Sequence, residues 1–125
     1  MFEHGNMVNP RSRSKFLRVN PFTISRLPHI EFGSGSLSKL PVIARGYGTH
    51  AVLVTGSHSL RKTQHWHSLT TALKAQGITW HTIQVRGEPS TQLVDYVVRD
   101  LHDECFDEVI GVGGGSVLDT AKAIA

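Results

Sequence analysis

The sequence has little cysteine, few aromatic residues and no long apolar run. One Cys in 125 residues excludes a disulfide framework, and no Cys/His spacing approaches a structural zinc pattern. No stretch of about 18 consecutive apolar residues occurs, so no membrane-spanning helix is expected. The N-terminal region lacks the apolar core of a secretory signal. Internal repeats and low-complexity tracts are absent too. What these exclusions leave is a soluble, intracellular globular domain, expected in the cytoplasm, with enough chain for a real core.

Charge of one sign is scarce once it is located. The formal net charge is +3, which on its own suggests a nucleic-acid partner. Residues 1–22 hold Arg11, Arg13, Lys15 and Arg18 against Glu3, and the remainder carries nine basic and nine acidic side chains. The body therefore has no global basic field, and neither a nucleic-acid nor a membrane partner is expected. Met1–Pro21 is polar and without sustained periodicity. It reads as a disordered basic lead-in to a domain over 22–125. Its Arg and Ser content also admits a mitochondrial-type presequence.

From Phe22 onward two periods alternate. His29–Phe32 reads as a short extended piece, and Gly35-Ser36 opens a helix through Leu37, Leu40 and Ile43, with Pro41 in its first turns. Ala51–Thr55 is a continuous apolar run, as expected of a strand buried on both faces. A helix is predicted over Ser59–Gln76, with Gly77 just past its end. Ile78–Val85 favours a second strand. Ser90 caps a helix with an apolar stripe of Leu93, Val94, Val97, Val98 and Leu101. Glu108–Val112 gives a third strand, and Ser116 begins the last helix, apolar along Val117, Leu118, Ala121 and Ile124. The order predicts an α/β fold, a Rossmann-like parallel sheet with helices on both faces. The last helix reaches Ala125 without Gly or a polar cap, so the chain reads as the front of a larger protein, incomplete at its C-terminal end.

The chemistry concentrates in one turn. Gly113, Gly114 and Gly115 lie between a buried strand and a helix N-terminus, where the lack of Cβ atoms lets backbone N–H groups close on a phosphate. The helix adds free donors and a positive dipole end. Neither the dinucleotide fingerprint nor the Walker A pattern is met, because position 116 is Ser and no Gly-Lys-Ser/Thr follows. A plain tight turn, with Ser116 and Asp119 as a capping-box variant, is the competing reading. It needs one glycine rather than three.

Phe32-Gly-Ser-Gly-Ser-Leu37, Leu53-Val-Thr-Gly56, Gly87-Glu-Pro89 and the block from Gly111 to Ala125 together resemble the N-terminal domain of the iron-containing (group III) alcohol dehydrogenases. Glycerol dehydrogenases and dehydroquinate synthases are related to that family. The resemblance implies hydride transfer between an alcohol or aldehyde and NAD or NADP. It also implies a helical C-terminal domain that holds Fe2+ or Zn2+ through one Asp and three His. None of those ligands is in this chain, so the chain alone is not expected to be catalytically competent. By resemblance Gly113, Gly114, Gly115 and Ser116 hold the pyrophosphate. Asp119 lies near the nicotinamide cleft, Pro89 near the cofactor, and Gly56 and Ser57 at the adenosine end. A homo-oligomer is expected. The alternatives are a glycerol dehydrogenase-type polyol oxidoreductase, or a non-catalytic nucleotide-binding or interaction module.

The remaining candidates read as ordinary surface or core. His65 and His67 stand two apart, which sends their rings about 200° apart on a helix. Cys105 sits among carboxylates, a poor setting for a thiolate nucleophile. Trp66 and Trp80 are expected in the core, and Lys122 in a surface ion pair with Asp119. Cofactor choice rests on Gly56, after which no acid occurs until Glu88. NAD-specific folds place a carboxylate by the ribose 2′-OH, and here Arg61 and Lys62 are expected in a first helical turn instead. Their position predicts that NADP is accepted at least as well as NAD.

Overall fold

A run such as Ala51–Thr55, with no charge to solvate, can be buried only when neighbours pair its backbone on both edges. The computed structural model, which describes residues 29–57 and 59–125, shows that arrangement. Strand β1 (His50–Gly56) is central, with β2 (Thr79–Val85) on one side and β3 (Glu108–Val112) on the other. Both pairings are parallel, with Thr55 opposite Gln84 and Val112. Helix α1 (Leu40–Arg45) precedes β1, α2 (Gln64–Ala75) joins β1 to β2, α3 (Thr91–Asp100) joins β2 to β3, and α4 (Gly115–Ile124) follows β3. The chain moves outward from β1 to β2 and then crosses back to β3. The strand order thus reverses between β1 and β3.

Period-2 alternation divides the core into two layers. Ala51, Leu53 and Ile110 pack with Ala44, Leu69, Leu73 and Ile78 under α1 and α2. Val52, Val54 and Val85 pack with Val97, Leu101, Val117 and Ala121 under α3 and α4. The sheet is covered on both faces, as the sequence predicts for an α/β domain.

Several boundaries differ from expectation. Residues 29–32 are irregular and form no strand. The helix opened at Gly35-Ser36 starts as a 3-10 turn over Ser36–Lys39 before α1. The helix after β1 begins at Gln64 rather than Ser59, because Thr63 adopts an extended backbone (φ −94°, ψ 155°) and caps α2. Leu60–Lys62 are left as a separate 3-10 turn. A β-branched hydroxyl residue that bonds nearby backbone favours such an interruption. Helix α4 starts one residue early, at Gly115. Trp66 and Trp80 pack against the core from its margin, half-buried. Val98 and Leu118, both assigned to buried stripes, are exposed. The predicted lead-in Met1–Pro21 lies outside the described residues.

The amino end of the sheet is tied by one carboxylate. Asp107 accepts from the Thr49 N–H at 2.8 Å and the His50 N–H at 3.0 Å, and the Asp107 N–H donates to His50 O at 2.8 Å. The His50 ring stacks on Phe106 with centroids 4.7 Å apart. A Cβ on Gly48 would overlap the Asp107 side chain, so the latch requires glycine there. The two backbone donors hold the Asp107 carboxyl below its ordinary range. Burial, and secondarily Asp107, push Glu108 upward. A depressed carboxyl stabilises the fold above its unfolded pKa and loses that contribution as pH falls through the folded value. Asp107→Asn should therefore show a shallower acid limb than wild type between about pH 5 and pH 2 in urea denaturation. Gly48→Ala should lower stability by about 1–3 kcal/mol at neutral pH.

Candidate functional site

Three parallel strands, each followed by a helix, bring three helix N-termini to one edge of the sheet. That edge is where open α/β sheets take ligands, at the point where strand order reverses. Here the reversal falls between Gly56, at the end of β1, and the Gly113–Gly115 turn after β3.

The three helix ends are not equivalent. The Thr63 hydroxyl accepts from the Trp66 N–H at 3.3 Å, and the Ser90 hydroxyl accepts from the Leu93 N–H at 3.1 Å. Helix α4 begins from Gly114 with no side-chain cap. Val117 and Leu118 N–H groups both turn back to Gly114 O at 3.1 Å. The N–H groups of Gly115 and Ser116, earlier in the first turn, have no carbonyl a turn behind them. The capping-box variant is thus corrected: Ser116 is the second helical residue, and Asp119 is an exposed residue further along α4.

Each glycine of the turn has its own reason. None of Gly113, Gly114 and Gly115 has positive φ, so conformational freedom does not explain them. A Cβ on Gly113 would stand 2.6 Å from Val117 Cγ2, and one on Gly111 would stand 2.9 Å from Ala121 Cβ. These two glycines let α4 lie close on β3. Around Gly114 and Gly115 nothing lies within 4 Å of a built Cβ. At these two positions the fold itself would tolerate a side chain. An outside group that needs close backbone approach would not, and a phosphate has that requirement.

Of the remaining expected site residues, Gly56 lies beside the turn, since its missing Cβ would be 3.8 Å from the same Val117 methyl. Ser57 follows in a bend. Pro89 is exposed beside a groove lined by Ser90, Thr91, Val94, Asp95 and Ala123; none of the turn's glycines lines that groove. Val117, only 4% exposed, is the residue sequence reading missed. Periodicity alone places it in a core stripe, yet it sets the spacing of Gly56 and Gly113. The signal was Gly-x-Gly at a strand end with a branched residue four positions on.

The cationic pair is also corrected. Arg61 and Lys62 end a 3-10 turn and are not in the first turn of α2. The Arg61 guanidinium lies 5.5 Å from the Trp66 ring centroid, where an aromatic face already uses its charge. Lys62 is exposed. Lys122 forms none of the ion pairs among the described residues, so the Asp119 pairing is not observed. His65 and His67 are exposed, as expected, and Cys105 is exposed too. Among the described residues no three His, Cys, Asp or Glu side chains converge as a metal site. No described helix is long and apolar enough to cross a membrane.

These features can be set beside known proteins. The chain is 31% identical over 105 residues to the probable NADH-dependent butanol dehydrogenase 1 of Bacillus subtilis, a match covering 83% of this chain and 27% of that protein. The crystal structure of NADH-dependent butanol dehydrogenase A from Thermotoga maritima superposes with a TM-score of 0.71 at 30% identity, covering 84% of this chain and 27% of that one. A probable glycerol dehydrogenase from Sinorhizobium meliloti superposes with a TM-score of 0.51 at 25% identity, covering 73% of this chain and 23% of that one. The chain thus spans about a quarter of the length of these relatives.

Splitting the turn's glycines into packing and open positions makes a stability prediction. Gly113→Ala should destabilise the domain by about 1–3 kcal/mol, as overpacking does. Gly115→Ala should leave stability unchanged or raise it by up to about 1 kcal/mol, since Ala outranks Gly inside a helix. Thermal melts of the two variants check this ordering. The uncapped helix, the reversal point and the glycine turn all lie within the matched stretch, residues 28–125, and the chain belongs to the iron-containing alcohol dehydrogenase family.

Proposed function

We propose that this chain supplies the nicotinamide-dinucleotide half of a metal-dependent alcohol dehydrogenase. Gly113, Gly114, Gly115 and Ser116 hold the pyrophosphate in this reading, with Gly56 and Ser57 at the adenosine end. One observation carries it. The α4 N-terminus lacks the hydroxyl cap that α2 and α3 have, and its two open glycines leave room for an anion to take the cap's place. A phosphate there accepts from first-turn N–H groups and meets the positive end of the helix dipole. When bound, the cofactor supplies hydride exchange at its nicotinamide ring. This chain's residues bind and orient it. Asp119 lies one helical turn beyond Ser116, and we assign it to the cleft side of the cofactor. Pro89 is a looser contact in this reading, beside a groove whose lining includes Ala123 of α4.

The substrate is a small-molecule alcohol or aldehyde, in keeping with the alcohol dehydrogenases among the relatives. The described residues do not fit the family's metal, so no step through a metal is assigned to them. The whole protein is read as a cytoplasmic homo-oligomer. The polyol-oxidoreductase alternative draws on the glycerol dehydrogenase likeness, whose TM-score is the lower of the two reported.

On cofactor choice, we propose that NADP is accepted at least as well as NAD. Gly56 presents no carboxylate to repel a 2′-phosphate, and exposed Lys62 remains free of the Trp66 stacking that engages Arg61. The relatives named as NADH-dependent make NADH the reference ligand. A dissociation constant for NADPH ten or more times weaker than for NADH would overturn this preference. Gly56→Asp should shift binding toward NADH.

Gly114→Val tests the site itself. The open space around Gly114 and its ordinary φ of −82° accept a branched side chain without refolding. The variant should keep its circular dichroism spectrum and lose NADH binding by at least about tenfold, because the side chain fills the phosphate's place. Unchanged affinity, read from quenching of Trp66 and Trp80 fluorescence, would rule the turn out as the phosphate site.

A further inference from the structure

The core holds two fully buried threonines, and the fold uses only one of them. Thr120 Oγ1 donates to Ser116 O at 2.8 Å, inside α4. Thr55 is equally inaccessible, 0% exposed, yet its Oγ1 has no partner among the described residues. Valine has nearly the same shape and would fill this place without the cost of stripping water from a hydroxyl. Thr55 is also the last fully buried residue of β1. It stands opposite Val112 in register, one residue below Gly56 and level with the strand end from which the glycine turn departs. Glu108 Oε1, at the amino end of β3, is also buried without a partner among the described residues, so what sets Thr55 apart is its place at the reversal point of the sheet, where open α/β sheets take ligands.

We infer that Thr55 is a positioning residue of the nucleotide site, its Oγ1 donating to a water held beneath the adenosine ribose at the carboxyl end of β1. The inference rests on the nucleotide reading above and adds a residue to it. The ribose end of a dinucleotide lies over the strand next to the one that carries the glycine turn, and that strand is β1. Ribose hydroxyls are the polar groups that arrive there, and a buried water with two or three partners is the ordinary means of joining such groups.

Thr55→Val and Thr55→Ser in the full 125-residue chain, with NADH as the probe, test it. Thr55→Val should melt at or above the wild-type temperature without nucleotide, and should bind NADH about 3- to 10-fold more weakly. Thr55→Ser should restore wild-type affinity. A Val variant with unchanged affinity overturns the inference and leaves the nucleotide reading standing. So does a Val variant that melts several degrees lower, which would make the hydroxyl structural, and so does a Ser variant as weak as Val. A wild-type chain that binds neither NADH nor NADPH overturns both.

Discussion

The carboxyl edge of the sheet depends on one close approach, the Val117 side chain packed against backbone at the ends of β1 and β3. Its methyls occupy the space that a Cβ at Gly113 would need and lie in contact range of one at Gly56. With both positions bare, α4 can start immediately after β3 and lie against the sheet, which Ala121 continues one turn later beside Gly111. The first turn of α4 is thereby fixed at the reversal point. Interiors are close-packed and yield little, so a side chain at Gly113 would displace the helix end and the donors it carries. Position, more than composition, makes this helix end the candidate site.

The electrostatics follow from what was left out. A helix end in a folded domain is ordinarily satisfied by a local oxygen, and Thr63 and Ser90 supply one for α2 and α3. Gly114 supplies none. The charge balance beyond residue 22 sums to zero, so no broad field draws anions to this edge. Attraction has to come from fixed N–H groups and the dipole, over a few ångströms. Such donors favour a group with several acceptor oxygens over a simple carboxylate. A phosphate is that group, and its discrimination is geometric more than coulombic.

Much of the fold was legible because its elements obey simple periods. The uninterrupted apolar run of β1 could be satisfied only in the centre of a parallel sheet, and β2 and β3 carried the β-branched residues that flank it. The errors fell where local backbone chemistry competes with periodicity. Thr63 looked like a helix-interior residue, but its hydroxyl bonds to Leu60 O at 2.6 Å and it caps the helix that follows, which splits one predicted helix into two pieces. That split moved Arg61 and Lys62 out of a first helical turn and weakened the cofactor reading built on them. The glycine turn was visible as a motif, but the difference between its members was not. Nothing in three identical letters shows that Gly113 faces a valine side chain while Gly114 and Gly115 face open space. That is a property of α4's approach, and it exists only in three dimensions.

The two ends of the sheet therefore use glycine and hydrogen bonding in opposite ways. At the amino end Gly48 makes room for Asp107, whose carboxylate takes two backbone donors, so every nearby partner is protein and the result is a latch. At the carboxyl end nothing among the described residues fills the space around Gly114 and Gly115, and the first-turn donors of α4 and the Thr55 hydroxyl have no partner among the described residues. A fold optimised only for stability would satisfy both ends alike. A carboxylate that takes two backbone donors at one end and open helix donors at the other is the pattern expected when a ligand completes the structure. It also places any stabilisation by nucleotide at the edge where those donors are open.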